Sequence, residues 1–156
     1  MMTHLRVGDI APNVKGIDQD GKEVSLSDYK DKKLVLFFYP KDNTPGCTAE
    51  ACNLSTNEAL LAKEGYEILG VSPDTEKKHQ NFIGKYDLTF PLIADTDKTW
   101  IESFGIWGPK KFMGRVYDGV HRTTFIIDEE GKIAQIFDKV KTKAHSEQIL
   151  EWHHSS

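Results

Sequence analysis

The stretch LVLFFYPKDNTPGCTAEAC, from Leu34 to Cys52, decides the architecture. Its first six residues, Leu34 to Tyr39, are a continuous apolar run of branched and aromatic side chains. A run of that length and composition reads as a central strand buried on both faces. Pro40 stops it, because proline cannot donate to a sheet ladder. Beyond it, Thr44-Pro45-Gly46 reads as a helix start. Threonine suits the N-cap, and proline suits the first helical position, where its missing N–H costs nothing. Ala49, Cys52, Leu54, Ala59, Leu60 and Leu61 carry that helix toward Gly65, a good terminator.

The flanking sequence extends this strand-helix unit in both directions. Upstream, Asn13 to Asp18 and Lys22 to Leu26 are extended segments joined at Asp20-Gly21, a strong hairpin signal. Downstream, Tyr66 to Ser72 is a second buried strand, and Thr75 to Tyr86 is a helix with Asp74 as its expected cap. Pro91 to Ala94 is a short strand and Lys98 to Phe104 a short helix. Ile106 to Asp118 contains two glycines and a proline and reads as a loop with partial strand character. Thr123 to Asp128 and Lys132 to Phe137 form a hairpin around Glu129-Glu130-Gly131, and Ala144 to Trp152 is a closing helix. A strand-helix-strand unit implies a parallel pair with a right-handed crossover, and the late hairpin adds antiparallel strands. The expected architecture is α/β: a thioredoxin-like fold with a mixed central β-sheet flanked by helices and an N-terminal hairpin. No linker or repeat divides the chain, so residues 1–156 are expected to form a single domain.

Composition narrows the function classes. The 156 residues carry 20 basic and 24 acidic side chains, a net charge of -4. That balance gives no support to a nucleic-acid or anionic-membrane partner. No apolar run approaches a membrane span, and the N-terminal MMTHLRVGDIAP lacks the hydrophobic region of a signal peptide. The default residence is cytoplasmic, where thiols are kept reduced. The only two cysteines, Cys47 and Cys52, are therefore either inert core residues or redox groups. Their spacing fits neither a Cys-x-x-Cys pair nor a zinc site.

Cys47 falls in the first turn of the expected helix. Free N–H groups and the positive end of the helix dipole gather there and favour an anion such as a thiolate. Thr44 can bring its hydroxyl near the sulfur, accepting from a backbone N–H and donating to a bound oxygen. Pro40 can wall the pocket without adding a competing donor. Taken alone, a cysteine here reads first as a small buried hydrophobe, with the threonine-proline-glycine turn merely its helix cap. The helix start, the hydroxyl and proline at fixed offsets, and the second cysteine argue against that reading.

Pro40, Thr44 and Cys47 together spell Pro-x-x-x-Thr-x-x-Cys, which resembles the active-site motif of the peroxiredoxins. With Cys52 added, the segment resembles the Q-type branch, the bacterioferritin comigratory proteins. The likeness covers nearly the whole chain, through GDIAP (Gly8 to Pro12), DQDGKEVSLSDY (Asp18 to Tyr29), LGVSPD (Leu69 to Asp74), FGIWGPKKFMGRVYDGVHR (Phe104 to Arg122) and FIIDEEGKI. The resemblance implies a thiol peroxidase acting on hydrogen peroxide and organic hydroperoxides. Cys47 would become a sulfenic acid and Cys52 would resolve it as an intramolecular disulfide, reduced again by thioredoxin or a glutaredoxin. Thr44, Gly46, Cys47 and Arg122 would bind the peroxide, and no cofactor or metal is implied. Q-type relatives are often monomers, so a monomer is expected. The chain lacks the Gly-Gly-Leu-Gly and C-terminal Tyr-Phe elements of over-oxidation-sensitive relatives.

From the residues alone, Arg122 precedes a buried strand, where a guanidinium is compatible with a solvated strand end or with a fixed charge beside the thiolate. Glu50 either pairs with Arg122 or is simply a favourable acid near the helix start. If Cys47 and Cys52 share a regular helix, their Cα atoms lie about 8.7 Å apart. A disulfide needs about 7 Å or less, so the helix must unwind to form one. His121 is the one histidine near the expected site; His4, His79, His145, His153 and His154 are expected to be solvated. A thioredoxin-like disulfide carrier and a non-enzymatic binding domain are the competing readings.

Overall fold

The computed structural model describes residues 2–155. In chain order the elements are β1 (Lys15–Ile17), β2 (Glu23–Ser25), β3 (Lys33–Phe38), α1 (Pro45–Thr56), α2 (Glu58–Lys63), β4 (Tyr66–Ser72), α3 (Glu76–Tyr86), β5 (Leu92–Ala94), α4 (Thr99–Ser103), β6 (Trp107–Phe112), β7 (Arg115–Val120), β8 (Thr123–Ile127), β9 (Ile133–Phe137) and α5 (His145–Ser155). The central sheet runs β5-β4-β3-β8-β9. β3 pairs with β4 in parallel and with β8 antiparallel, giving the expected mixed sheet.

β3 is the hub because side chains alternate across a strand. Leu34, Leu36 and Phe38 enter one core, with Val24, Trp100, Phe104 and Phe125. Val35, Phe37 and Tyr39 enter the other, with Cys47, Leu54, Leu61, Phe82 and Ile149. The first core is covered by the N-terminal hairpin and α4, and the second by α1, α2, α3 and α5. Both faces are apolar, as a continuous hydrophobic run requires.

Register then delivers two distant residues to one end of the sheet. Phe38, the last residue of β3, pairs with Thr123, the first of β8. Arg122 therefore emerges beside the point where the chain leaves β3 for Pro40 and α1.

Three local expectations are corrected. Residues 107–120 are not a loop but a regular hairpin, turning at Met113 (φ 51°) and Gly114 (φ 80°). Positive φ at both central residues suits the strand twist, and Pro109 is tolerated in a two-stranded ribbon, where one of its edges is free. The helix expected to reach Gly65 breaks at Asn57, whose ψ of 15° separates α1 from α2. The cap of α3 is Thr75, which accepts from Lys78 N at 3.3 Å, while Asp74 is buried in a different role.

Candidate active site

Cys47 sits at the third position of α1, behind the Thr44 cap and Pro45. Proline brings no N–H, and the first intrahelical bond runs from Thr48 N to Thr44 O at 2.8 Å. The amides of Gly46 and Cys47 thus lie outside the helix's own ladder, at the positive end of its dipole. The Cys47 side chain is buried.

Arg122 closes the site from the sheet. Its Nη2 donates to Cys47 Sγ at 3.3 Å, and its Nη1 donates to Glu50 Oε1 at 2.7 Å. Glu50 is three residues after Cys47, on the same helical face, so one helix supplies both partners of the guanidinium fork. Gly46 permits this approach, since a Cβ there would stand 3.2 Å from Arg122 Nη2. Of the two readings of Glu50, the pairing with Arg122 is the one realised.

Electrostatics behind the fork are unusual. Burial pushes the Glu50 carboxyl up to about 7, against the pull of Arg122. Burial works against the charge of Arg122, yet the Glu50 carboxylate and the Cys47 sulfur hold it above its usual range. Glu50 Oε2 is buried with no hydrogen-bond partner, 3.7 Å from His145 Nε2. His145 Nδ1 donates to Gln148 Oε1 at 2.9 Å, which leaves Nε2 to accept from the Thr124 hydroxyl at 2.8 Å. That ring is neutral, and burial pulls its pKa down to about 4. Lys110, whose Nζ donates to Val120 O at 2.8 Å, is lowered by burial and by the nearby Arg122.

Thr44 departs from expectation. Its hydroxyl makes no capping bond and instead donates to Lys41 O at 2.7 Å. With its only proton committed, it can act toward a bound oxygen only as an acceptor. The loop it shares with half-buried Pro40 is fixed by Asp42. That carboxylate accepts from Tyr39 Oη and pairs with His79 Nδ1, both at 2.6 Å, while Asp42 N donates to Asp74 Oδ2 at 2.8 Å. His79 Nε2 donates to Ile93 O at 2.9 Å.

The histidine expectations are therefore partly overturned. His79 and His145 are fully buried and His153 is half-buried against Tyr66 and Glu64. His4 and His154 are exposed, and His121 lies beside the site with Nε2 donating to Pro109 O at 3.0 Å. A signal was present: His79-Phe82-Tyr86 and His145-Ile149-Trp152 repeat at helical spacing, which puts each histidine on an apolar face.

Cys52 is not at the site. Five residues along α1 from Cys47, it is half-buried and borders a surface pocket with Ala49, Asn53, Thr56, Asn57 and Lys143. Both thiols are free, and burial pushes the Cys52 thiol up. A buried sulfur at a helix start, beside a fixed guanidinium that favours its anion, can act as a nucleophile toward an electrophilic oxygen.

Residues 7–136 match the model of the AhpC/TSA family. The chain is 46% identical over 151 residues to peroxiredoxin Bcp of Escherichia coli K12, covering 97% of each chain. Its fold is similar to a cysteine-to-serine mutant of PrxQ from Xylella fastidiosa, with a TM-score of 0.91, 31% identity and 98% of each chain covered. It is also similar to the bacterioferritin comigratory protein of Xanthomonas campestris, with a TM-score of 0.87, 31% identity and 98% coverage of each. The work on that protein concerns its alkyl peroxide reduction activity. Among the described residues no helix is long and apolar enough to cross a membrane.

Proposed function

The chain belongs to the AhpC/TSA family, among its Bcp peroxiredoxins, peroxide-reducing oxidoreductases, and on that premise we propose that Cys47 is the group oxidised and Cys52 the group that resolves it. The substrates are hydrogen peroxide and small organic hydroperoxides. The observation that carries the assignment is the 3.3 Å contact between Arg122 Nη2 and Cys47 Sγ at the start of α1.

In the first step the Cys47 thiolate attacks the outer peroxide oxygen. An S–O bond forms, the O–O bond breaks, and the leaving alkoxide or hydroxide takes up the proton that the thiol released. Arg122 and the amides of Gly46 and Cys47 stabilise the negative charge as it moves, and Thr44 accepts from the peroxide O–H. Pro40 and the Asp42 anchor keep that loop in place. The product is a Cys47 sulfenic acid. In the second step the Cys52 sulfur attacks Cys47 sulfur, forming the disulfide and releasing water. A regular α1 holds the two Cα atoms about 8.7 Å apart, beyond disulfide reach, so the helix unwinds between the steps. In the folded helix Cys52 stays a thiol, because burial disfavours its anion.

A second dithiol protein, thioredoxin or a glutaredoxin, then reduces the disulfide in the reducing cytoplasm; because both cysteines lie in one chain, the cycle needs no second copy, in keeping with a monomer. The test is a coupled assay with thioredoxin, its reductase and NADPH. Peroxide-dependent NADPH oxidation is expected, lost in Cys47→Ser. Cys52→Ser should retain one rapid oxidation but no thioredoxin-linked turnover. Turnover by Cys47→Ser, or disulfide reduction without peroxide, would reject the mechanism.

A further inference from the structure

We infer that Asn53 is a positioning residue for the resolving step: it caps helix α5 from outside, so that α1 cannot unwind without uncapping α5. The inference rests on the proposed resolution by Cys52.

Helix α5 needs an acceptor at its start and does not carry one. Gln148 N bonds to Ala144 O at 3.0 Å, which makes Ala144 the residue at the N-cap. Alanine has no side-chain acceptor and is among the poorest residues there. The missing acceptor comes from another helix. Asn53 Oδ1 accepts from Ser146 N at 2.7 Å, the bond an N-cap side chain would normally make, and Ser146 is fully buried. Asn53 Nδ2 donates to Lys143 O at 3.2 Å and to Glu147 Oε1 and Oε2 at 3.3 Å, gripping the same turn from its other side. Asn57 Nδ2 donates back to Asn53 O at 2.8 Å.

Asn53 directly follows Cys52. Bringing Cys52 to Cys47 moves the backbone that carries this amide, so the Ser146 N–H loses its partner inside the protein. The same turn of α5 carries His145, which stands behind Glu50 and hence behind the Arg122 fork. The latch therefore holds the peroxide-competent form together as one unit, and its strength sets how often Cys52 is released. It acts after the chemistry at Cys47 and should leave that chemistry alone.

Rapid mixing with peroxide separates the two steps, oxidation of Cys47 and formation of the disulfide with loss of water. Because unwinding precedes disulfide formation, its equilibrium constant multiplies the resolving rate. Asn53→Ala should leave the first rate unchanged and raise the second about fivefold, the effect of losing one cap. Over-oxidation of Cys47 to the sulfinic acid at high peroxide should fall by a similar factor. Ala144→Ser tests the same point without touching α1. It gives α5 its own cap, so it too should speed resolution, and adding it to Asn53→Ala should bring little further gain. It also carries the test if Asn53→Ala fails to fold. An unchanged or slower resolving rate in both variants, with the parent forming its disulfide normally, overturns the latch alone. A parent chain that forms no disulfide between Cys47 and Cys52 overturns the resolving role of Cys52, and the latch with it.

Discussion

Replacing Arg122 with methionine is the most informative perturbation of the first step. The guanidinium sits 3.3 Å from Cys47 Sγ, and at an effective dielectric of ~20 a full charge at that range attracts a thiolate by about 5 kcal/mol. Only the part that strengthens as charge shifts toward the leaving oxygen speeds the reaction. Loss of one preorganised donor of this kind typically costs ~100- to 1,000-fold, and that is the expected fall in the rate of Cys47 oxidation. Arg122→Lys keeps the charge but cannot bridge Cys47 Sγ and Glu50 Oε1 at once, so it should fall between parent and methionine variant. Arg122→Met also strips Glu50 of its partner and should destabilise the fold by about 3 kcal/mol, the cost of breaking a buried pair. Combining it with Glu50→Gln should recover most of that stability and none of the rate. Stopped-flow tryptophan fluorescence after one equivalent of peroxide gives the rate, and urea unfolding gives the stability. A first-step rate for Arg122→Met within threefold of the parent would refute the reasoning.

Other expectations concern the same cluster. Burial raises the Glu50 carboxyl from 4.5 to about 7, so between those values the folded state binds more protons than the unfolded one, and stability falls as pH rises. His145, lowered from 6.5 to about 4, works in the opposite direction, with stability rising through its window. Glu50→Gln removes only the first effect, so its stability relative to the parent should climb by about 3 kcal/mol between pH 4.5 and 7 in urea titrations; a constant difference would contradict the burial argument. Gly46→Ala puts a Cβ 3.2 Å from Arg122 Nη2, so the guanidinium must shift by a fraction of an ångström; Cys47 oxidation should slow, but by less than the ~100-fold that a ~1 Å misplacement can cost, while thermal stability stays near that of the parent.

Much of this was legible in the sequence because the decisive signals are local. The apolar run ending at Pro40, followed by Thr44-Pro45-Gly46, specifies a buried strand feeding a helix that starts just beyond the strand's C-terminal end. Cys47 and Glu50 then share a helix face by spacing alone. Arg122 came from the family motif, and the register that pairs Phe38 with Thr123 supplies the physical reason for its position. What stayed hidden depends on contacts between distant segments. Nothing in KDNT foretells that Asp42 will bury itself against His79 and Tyr39. Nothing at Ala144 says that its helix borrows a cap from Asn53. The β6–β7 hairpin was obscured because Pro109 and the glycines imitate a loop, and Thr44 was misjudged because Lys41 O competes for its hydroxyl. The Asn57 break has no strong local breaker to announce it.

The central claim is that α1 is assembled for peroxide and unwound for resolution. Amide hydrogen exchange over residues 44–57, compared between the reduced protein and its Cys47–Cys52 disulfide form, tests it most directly. Strong protection in the reduced form and marked loss in the disulfide form, extending to the first turn of α5, is the predicted result. Equal protection of that segment in both forms would contradict the account.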